Sequence, residues 1–205
     1  ESRSYNIKLA TKSGTDVLVR PGETFSLNKT IGPRLAKYGY RTAKVIINNE
    51  YVDGIGGGIC QVSSTLYNAA LLANLKIVER KNHSLPSSYI AMGRDATISG
   101  DYIDFKFMNN TPYPLYIYGE VKSNQVRFSI YGKNENKGRQ IKIKTEILKK
   151  IEPKIKIIED SSLPVGTKIV EKKAIPGYVV RSYRVIVENG KEVLKDITFK
   201  VKKGQ

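Results

Sequence analysis

The chain has 205 residues, 40% of them hydrophobic; this suits one large domain or two small ones with an ordinary core and excludes a disordered polymer. Its 35 Lys and Arg against 19 Asp and Glu leave a formal charge of +16, which calls for anionic surroundings. No apolar run of about 18 residues is present, so no membrane-spanning helix is expected. The basic residues are spread along the chain, with only short clusters such as Lys202-Lys203, and no recognition-helix or zinc pattern accompanies them. Nucleic acid is therefore not an expected partner, and a basic surface suited to a polyanionic wall is. The chain opens at Glu1 with neither Met nor a charged leader, and is read as a fragment with any targeting or anchoring segment upstream.

In chain order, residues 1 to about 135 are rich in Gly, Tyr, Asn and Ser, with strand-like runs between turn signals. A strand is predicted over 15–19, then a turn at Arg20-Pro21-Gly22 and another at Gly32-Pro33, a short helix over 34–38 and a strand over 43–47. Then comes "GIGGGICQVSSTLYNAALLANL", residues 54–75. Val62, Leu66, Ala69, Ala70 and Ala73 recur at helical spacing and define one apolar face, so a helix begins where the glycines end. Strands follow over 102–108, 115–121 and 125–131, with a turn at Asn109-Asn110-Thr111-Pro112 and a hairpin through Lys122-Ser123-Asn124. The expected fold class is α+β, an antiparallel sheet packed on one main helix.

The polar stretch "GKNENKGRQ", residues 132–140, reads as a linker. Beyond it the small residues give way to Lys, Ile, Val and Glu in short alternating strands with turns at "DSSLPVGT", "AIPGY" and "ENGKE". Asn189-Gly190 between two such strands is a strong hairpin signal. The expected division is a first domain over 1–135, a linker over 136–141 and a small all-β module over 142–205. The module holds no Cys or His, so binding or spacing is expected of it rather than catalysis.

The chain has one cysteine, Cys60, and one histidine, His83. A single thiol forms no internal disulfide and no cysteine-based metal site, and no metal or cofactor is expected. Cys60 stands where the glycines end and the helix begins. There the unpaired backbone N–H groups and the helix dipole stabilise a thiolate and can cradle an oxyanion. Gly56-Gly57-Gly58 would admit a substrate backbone closely. His83 follows the helix after a short turn and can take the thiol proton or rest as a thiolate–imidazolium pair. The alternative is a packed structural thiol and a surface histidine. In "GRDATISGDY", Asp95 or Asp101 is a candidate for orienting His83, and Arg94 for pairing with a substrate carboxylate, against a plain salt-bridged turn. The glycines lack the Lys-Ser/Thr of a phosphate-binding loop.

The segments "RPGETFSLNKTIGPR", "GYRTAKVI", "DGIGGGICQVSSTLYNAALLANLKIVERKNHSLPSSYIAMGRDATI" and "DFKFMNNTPYPLYI" resemble the VanW family over roughly residues 5–132. Residues from about 142 to 205, with "LPVGT", "IPGY" and "NGKEV", resemble a G-five domain, a cell-surface β module. The resemblance implies an extracytoplasmic, wall- or membrane-associated protein of a Gram-positive bacterium. It also implies cysteine L,D-transpeptidation of peptidoglycan stem peptides, with Cys60 as nucleophile and His83 as base. Gly57, Gly58, Gln61, Ser63 and Arg94 are candidate oxyanion or substrate contacts and Asp95 a candidate for orienting His83; the family pattern does not settle a third residue. Peptidoglycan stems, glycan and anionic wall polymers are the implied partners. In place of the Arg that follows the cysteine of YkuD-type transpeptidases, Gln61-Val62 stands here, so the chemistry is shared without the fold. Two alternatives stay open: a non-catalytic wall-binding module, and a cysteine peptidase or amidase on the same substrate.

Overall fold

The computed structural model describes the chain except residues 48, 135–136, 155–156, 171–173 and 204–205, and from residue 194 to the end of the last strand it describes the backbone alone. Residues 135–136 of the expected linker and the side chains of Lys202-Lys203 therefore lie outside the described residues. The elements run α1 (Ser2–Ser13), β1 (Val17–Val19), β2 (Thr24–Ser26), α2 (Leu27–Ile31), a single 3-10 turn (Ala36–Tyr38), β3 (Thr42–Ile47), β4 (Glu50–Ile55), α3 (Ile59–Leu72), β5 (Lys76–Glu79), β6 (Lys106–Met108), β7 (Leu115–Lys122), β8 (Gln125–Tyr131), β9 (Arg139–Ile151), β10 (Gly177–Glu188) and β11 (Lys191–Lys203).

Mixed α and β elements with antiparallel pairing throughout agree with the expected class, but the expected single sheet is divided. The first domain contains β1-β7-β8, β2-β6-β5 and the two-stranded ribbon β3-β4. Division follows from strand length: three-residue strands such as β1, β2 and β6 offer too few ladder bonds to extend a sheet. The strand expected over 102–108 keeps only its end as β6, because Asp104 turns the chain before it. That carboxylate accepts from Ser26 Oγ at 2.5 Å and from the Asn28 N–H at 2.9 Å. The helix expected over 34–38 shrinks to one 3-10 turn, closed by Gly39 in the left-handed region.

α3 is the axis of the domain. Val62, Leu66, Tyr67 and Ala70 are wholly buried, with Phe105 and Phe107 packed in the same core. Tyr67 meets Phe105 edge-on at 5.6 Å, and Phe25 stacks on Phe107 at 5.0 Å. The 115–131 hairpin forms as expected, turning at Ser123-Asn124 with both residues at positive φ, the geometry that matches strand twist.

α1 was not foreseen, and it does more than fill space. Its Asn6 Nδ2 donates to the carbonyls of Arg41 at 2.8 Å and Gly57 at 3.0 Å, while Oδ1 accepts the Arg41 N–H at 2.8 Å. One buried amide thus ties the start of β3 to the glycine loop ahead of α3. The C-terminal module is β9-β10-β11, with β10 central. Its hairpin turns at Asn189-Gly190, both at positive φ. The module rests on the first domain: Ser182 Oγ donates to the Gly93 carbonyl at 3.1 Å and Arg184 Nη1 to the Leu75 carbonyl at 2.8 Å.

Candidate active site

Three segments converge on the thiol. α3 presents Cys60 in its first turn, the loop after β5 brings His83 and Asp95, and the β3-β4 ribbon with residues 33–35 forms the opposite wall. Gly58 is the N-cap of α3, with φ 106° and no side chain to cap the helix. Ile59 and Gln61 donate back to the carbonyls of Gly56 and Gly58. The Cys60 N–H, in the first turn, has no acceptor further along its own helix to reach. The Cys60 N–H therefore stands at the helix head with its own sulfur.

Cys60 is half-buried, its Sγ 3.6 Å from the Ile98 carbonyl oxygen. His83 is buried, and its Nδ1 lies 2.7 Å from Asp95 Oδ2, which also accepts the His83 backbone N–H at 2.7 Å. Oδ1 of Asp95 pairs with Arg80 Nη2 at 3.1 Å, and Arg80 Nε donates to the Asp95 carbonyl at 2.6 Å. These two side chains are 1% and 2% exposed, so the carboxylate is fixed on both oxygens away from water. With Nδ1 engaged, Nε2 is left for Cys60 and for the Tyr89 hydroxyl, 3.1 Å away.

Burial pulls the His83 pKa down, but the hydrogen bond to Asp95, followed by the bond to and charge of Cys60, pushes it up to about 9. Burial alone would raise the Cys60 thiol. The hydrogen bond and charge of His83, the Ile98 backbone and the Arg34 charge outweigh it and hold the thiol below its ordinary value. Both shifts favour thiolate and imidazolium over the neutral pair, and the two groups titrate as a unit. Burial and the neighbouring thiolate push the Tyr89 hydroxyl far above its usual range, so Tyr89 keeps its proton.

α3 also holds the loop that carries Asp95. Ser63 Oγ and Ser64 Oγ donate to the Ala96 carbonyl at 2.5 and 3.2 Å, and the Ala96 N–H donates to Ser64 Oγ at 2.9 Å. Asn68 Nδ2 donates to the Arg94 carbonyl at 2.8 Å and Asn68 Oδ1 accepts Arg94 Nε at 2.7 Å. Asp95 lies between these clamps. One helix thus carries the thiol and also locates the carboxylate that orients its histidine.

Of the residues singled out in the sequence, Cys60, His83 and Asp95 come together, and Gly58 lines the same groove. The others are committed elsewhere. Gly57 is buried, and a Cβ there would stand 2.6 Å from the backbone of Ala43 and Lys44. The close approach it permits is by β3 rather than by a substrate. Ser63 is fully buried on Ala96, Gln61 accepts Arg3 Nη2 at 2.7 Å, and Arg94 is spent on Asn68. Asp101 lines the groove rather than touching His83. Sequence reasoning missed Arg80, Tyr89 and Arg34, since nothing local separates two arginines from 35 basic residues or one tyrosine from 13.

The groove has a volume of about 630 Å³, within the range of small-molecule and peptide sites. Ile47, Tyr51 and Ile55 of the ribbon expose apolar surface along it, facing the polar wall of Cys60 and His83. Among the described residues no group of three or more His, Cys, Asp or Glu forms a metal-ligating cluster.

The fold and site together describe a helix-head cysteine, backed by a buried His–Asp–Arg line, on a domain with a β module attached. The chain belongs to the VanW-like family: the model described as VanW like protein matches residues 2–131, and a G5 domain follows at residues 142–203. It is similar to the uncharacterized protein YoaR of Bacillus subtilis, 41% identical over 143 residues, 70% of this chain and 47% of that protein. It is also similar to the vancomycin B-type resistance protein VanW of Enterococcus faecalis, 34% identical over 116 residues, 54% of this chain and 42% of that protein. The chain thus spans less than half the length of these relatives. No solved structure gives a significant match.

Proposed function

We propose that the protein is a cell-wall acyltransferase, a cysteine L,D-transpeptidase that cross-links peptidoglycan stem peptides outside the cytoplasmic membrane. The observation that carries this reading is the Cys60–His83–Asp95 line at the head of α3, opening on a groove of about 630 Å³. The thiolate Sγ attacks the carbonyl carbon that joins the L-centre of the stem to its terminal D-residue. The oxyanion that forms falls to the Cys60 N–H at the helix head. As the C–N bond breaks, the His83 imidazolium passes its proton to the leaving amine and the D-amino acid departs. The neutral imidazole then accepts a proton from the acceptor amine as it attacks the thioester. The C–S bond breaks, and thiolate and imidazolium are restored.

A resistance protein against vancomycin among the relatives supports the cell-wall setting. In this reading the G5 module holds wall glycan, and the charge of +16 favours anionic wall polymers around the enzyme. The test incubates the protein with tetrapeptide muropeptides and reads the products by mass spectrometry. Cross-linked dimers, with released D-residue, are expected from the wild type and not from Cys60→Ala. Identical product profiles from both would leave a wall-binding module in place of an enzyme, and released D-residue without dimers would make the enzyme a peptidase.

A further inference from the structure

We propose that Arg34 is the anchor for the free terminal carboxylate of the donor peptide, which makes the site exo-acting: it removes one residue from a chain end. The inference rests on the acyl-transfer reading and names the group that selects its substrate. Arg34 lies in the groove wall, its side chain drawn across the glycine loop. A Cβ on Gly56 would stand 3.3 Å from Arg34 Cβ and 3.6 Å from its Cγ, so glycine at this position leaves room for the arginine. The guanidinium is pinned by neutral acceptors. Nη1 donates to Asn28 Oδ1 at 3.0 Å and to the Gly32 carbonyl at 3.2 Å, and Nη2 to the Gly100 carbonyl at 2.6 Å. Asn28 is itself held, its N–H bonded to Asp104 and its Nδ2 to the carbonyls of Gly100 and Ile103.

No carboxylate pairs with Arg34 among the described residues. Its charge is therefore not neutralised, and Nε and the second Nη2 hydrogen remain as donors. The other cations of the groove are placed differently: Lys44 pairs with Asp53 at 3.0 Å, and Arg3 donates to Gln61. Asp101 is the acid on the groove wall, with an exposed side on which solvent screens it. In a peptide ending in a free acid, only the amide nitrogen and one Cα separate the scissile carbonyl from the carboxylate. Arg34 lines the groove that holds Cys60 and its charge acts on the thiol, and a planar guanidinium meets a carboxylate in a two-bond fork that an ammonium does not form.

The first test reads the groove without requiring turnover. Cys60 is alkylated by iodoacetate, an anion, and by neutral iodoacetamide, at a pH where both rates have reached their plateau. The wild type is expected to favour iodoacetate relative to a free thiol. Arg34→Gln should lower the iodoacetate rate about tenfold and leave the iodoacetamide rate within about twofold, and Arg34→Lys should keep most of the anion preference. The unchanged iodoacetamide rate also reports that the variant is folded. An iodoacetate-to-iodoacetamide ratio equal in wild type and Arg34→Gln overturns the proposal. The second test compares a tetrapeptide stem with its terminal amide: the wild type should prefer the acid, chiefly through KM, and Arg34→Gln should not discriminate. If the alkylation ratio shifts as expected while no stem is turned over, the carboxylate site stands and the transpeptidase reading fails.

Discussion

At the residue scale, the protonation of one pair decides what the site can do. His83 is raised to about 9 and Cys60 is held below its ordinary value, so their effects on stability oppose each other. Stability from the His83 proton is full below about 6.5 and lost as pH rises through about 9. Stability from the Cys60 thiolate is full above its ordinary unfolded value and lost as pH falls through the depressed folded value. Where the two windows overlap their slopes with pH have opposite sign, so reactivity reports the pair better than a melting curve does. The rate of Cys60 alkylation should reach half its plateau well below the free-thiol value of about 8.5, and His83→Ala should move that midpoint up toward it. Transfer activity should fall again as pH passes about 9, where the imidazolium is lost as the proton donor to the leaving amine. Asp95→Asn keeps the shape and removes the charge. It leaves Arg80 buried beside a neutral amide, so a loss of about 3–5 kcal/mol is expected in denaturant unfolding, together with a higher alkylation midpoint. Cys60 and His83 could be picked out of the sequence because each is the sole member of its type, whereas Asp95 could be offered only beside Asp101. Its partnership with His83 and Arg80 depends on a loop path that no local pattern encodes.

At the element scale, α3 was legible and the elements around it were not. Its apolar face follows helical spacing, and the glycines mark its start. Ser63, Ser64 and Asn68 lie off that apolar face, yet all three are buried, because the loop over 94–98 folds onto them. Asn68→Ala removes both clamps on Arg94 and strands its carbonyl and guanidinium. A cost of about 1–3 kcal/mol is expected, with slower alkylation of Cys60 as Asp95 loses its placement. α1 escaped notice because its apolar residues do not line up on one face; its burial is anchored instead by the hydrogen bonds of Asn6. The glycine run likewise reads as looseness and proves to be tight packing. Gly57→Ala would press a Cβ to 2.6 Å from the β3 backbone. A loss of about 1–3 kcal/mol is expected by thermal or denaturant unfolding, with misplacement of the helix head.

At the scale of the whole molecule, the two matched segments are physically joined. β8 ends at Tyr131 and β9 begins at Arg139, inside the stretch expected as a linker over 136–141. What the sequence did not disclose is that β10 lies against the loop leading to Asp95. Ser182 reaches the Gly93 carbonyl, Arg184 reaches the Leu75 carbonyl, and Ile143 of β9 packs on the first domain's core. Such contacts depend on tertiary docking, which leaves no periodic trace. A chain ending at residue 138 should therefore melt several degrees lower than the full chain and alkylate more slowly at Cys60, both readable in one thermal scan and one rate measurement.

The central claim, that Cys60 carries the acyl group during transfer, is tested most directly by intact-protein mass spectrometry after brief acid quench with a tetrapeptide muropeptide. The account predicts an adduct of the donor's mass less its terminal D-residue, confined to Cys60 and discharged on adding an acceptor amine. An unmodified wild-type mass at every time point, while D-residue is released into solution, would contradict it.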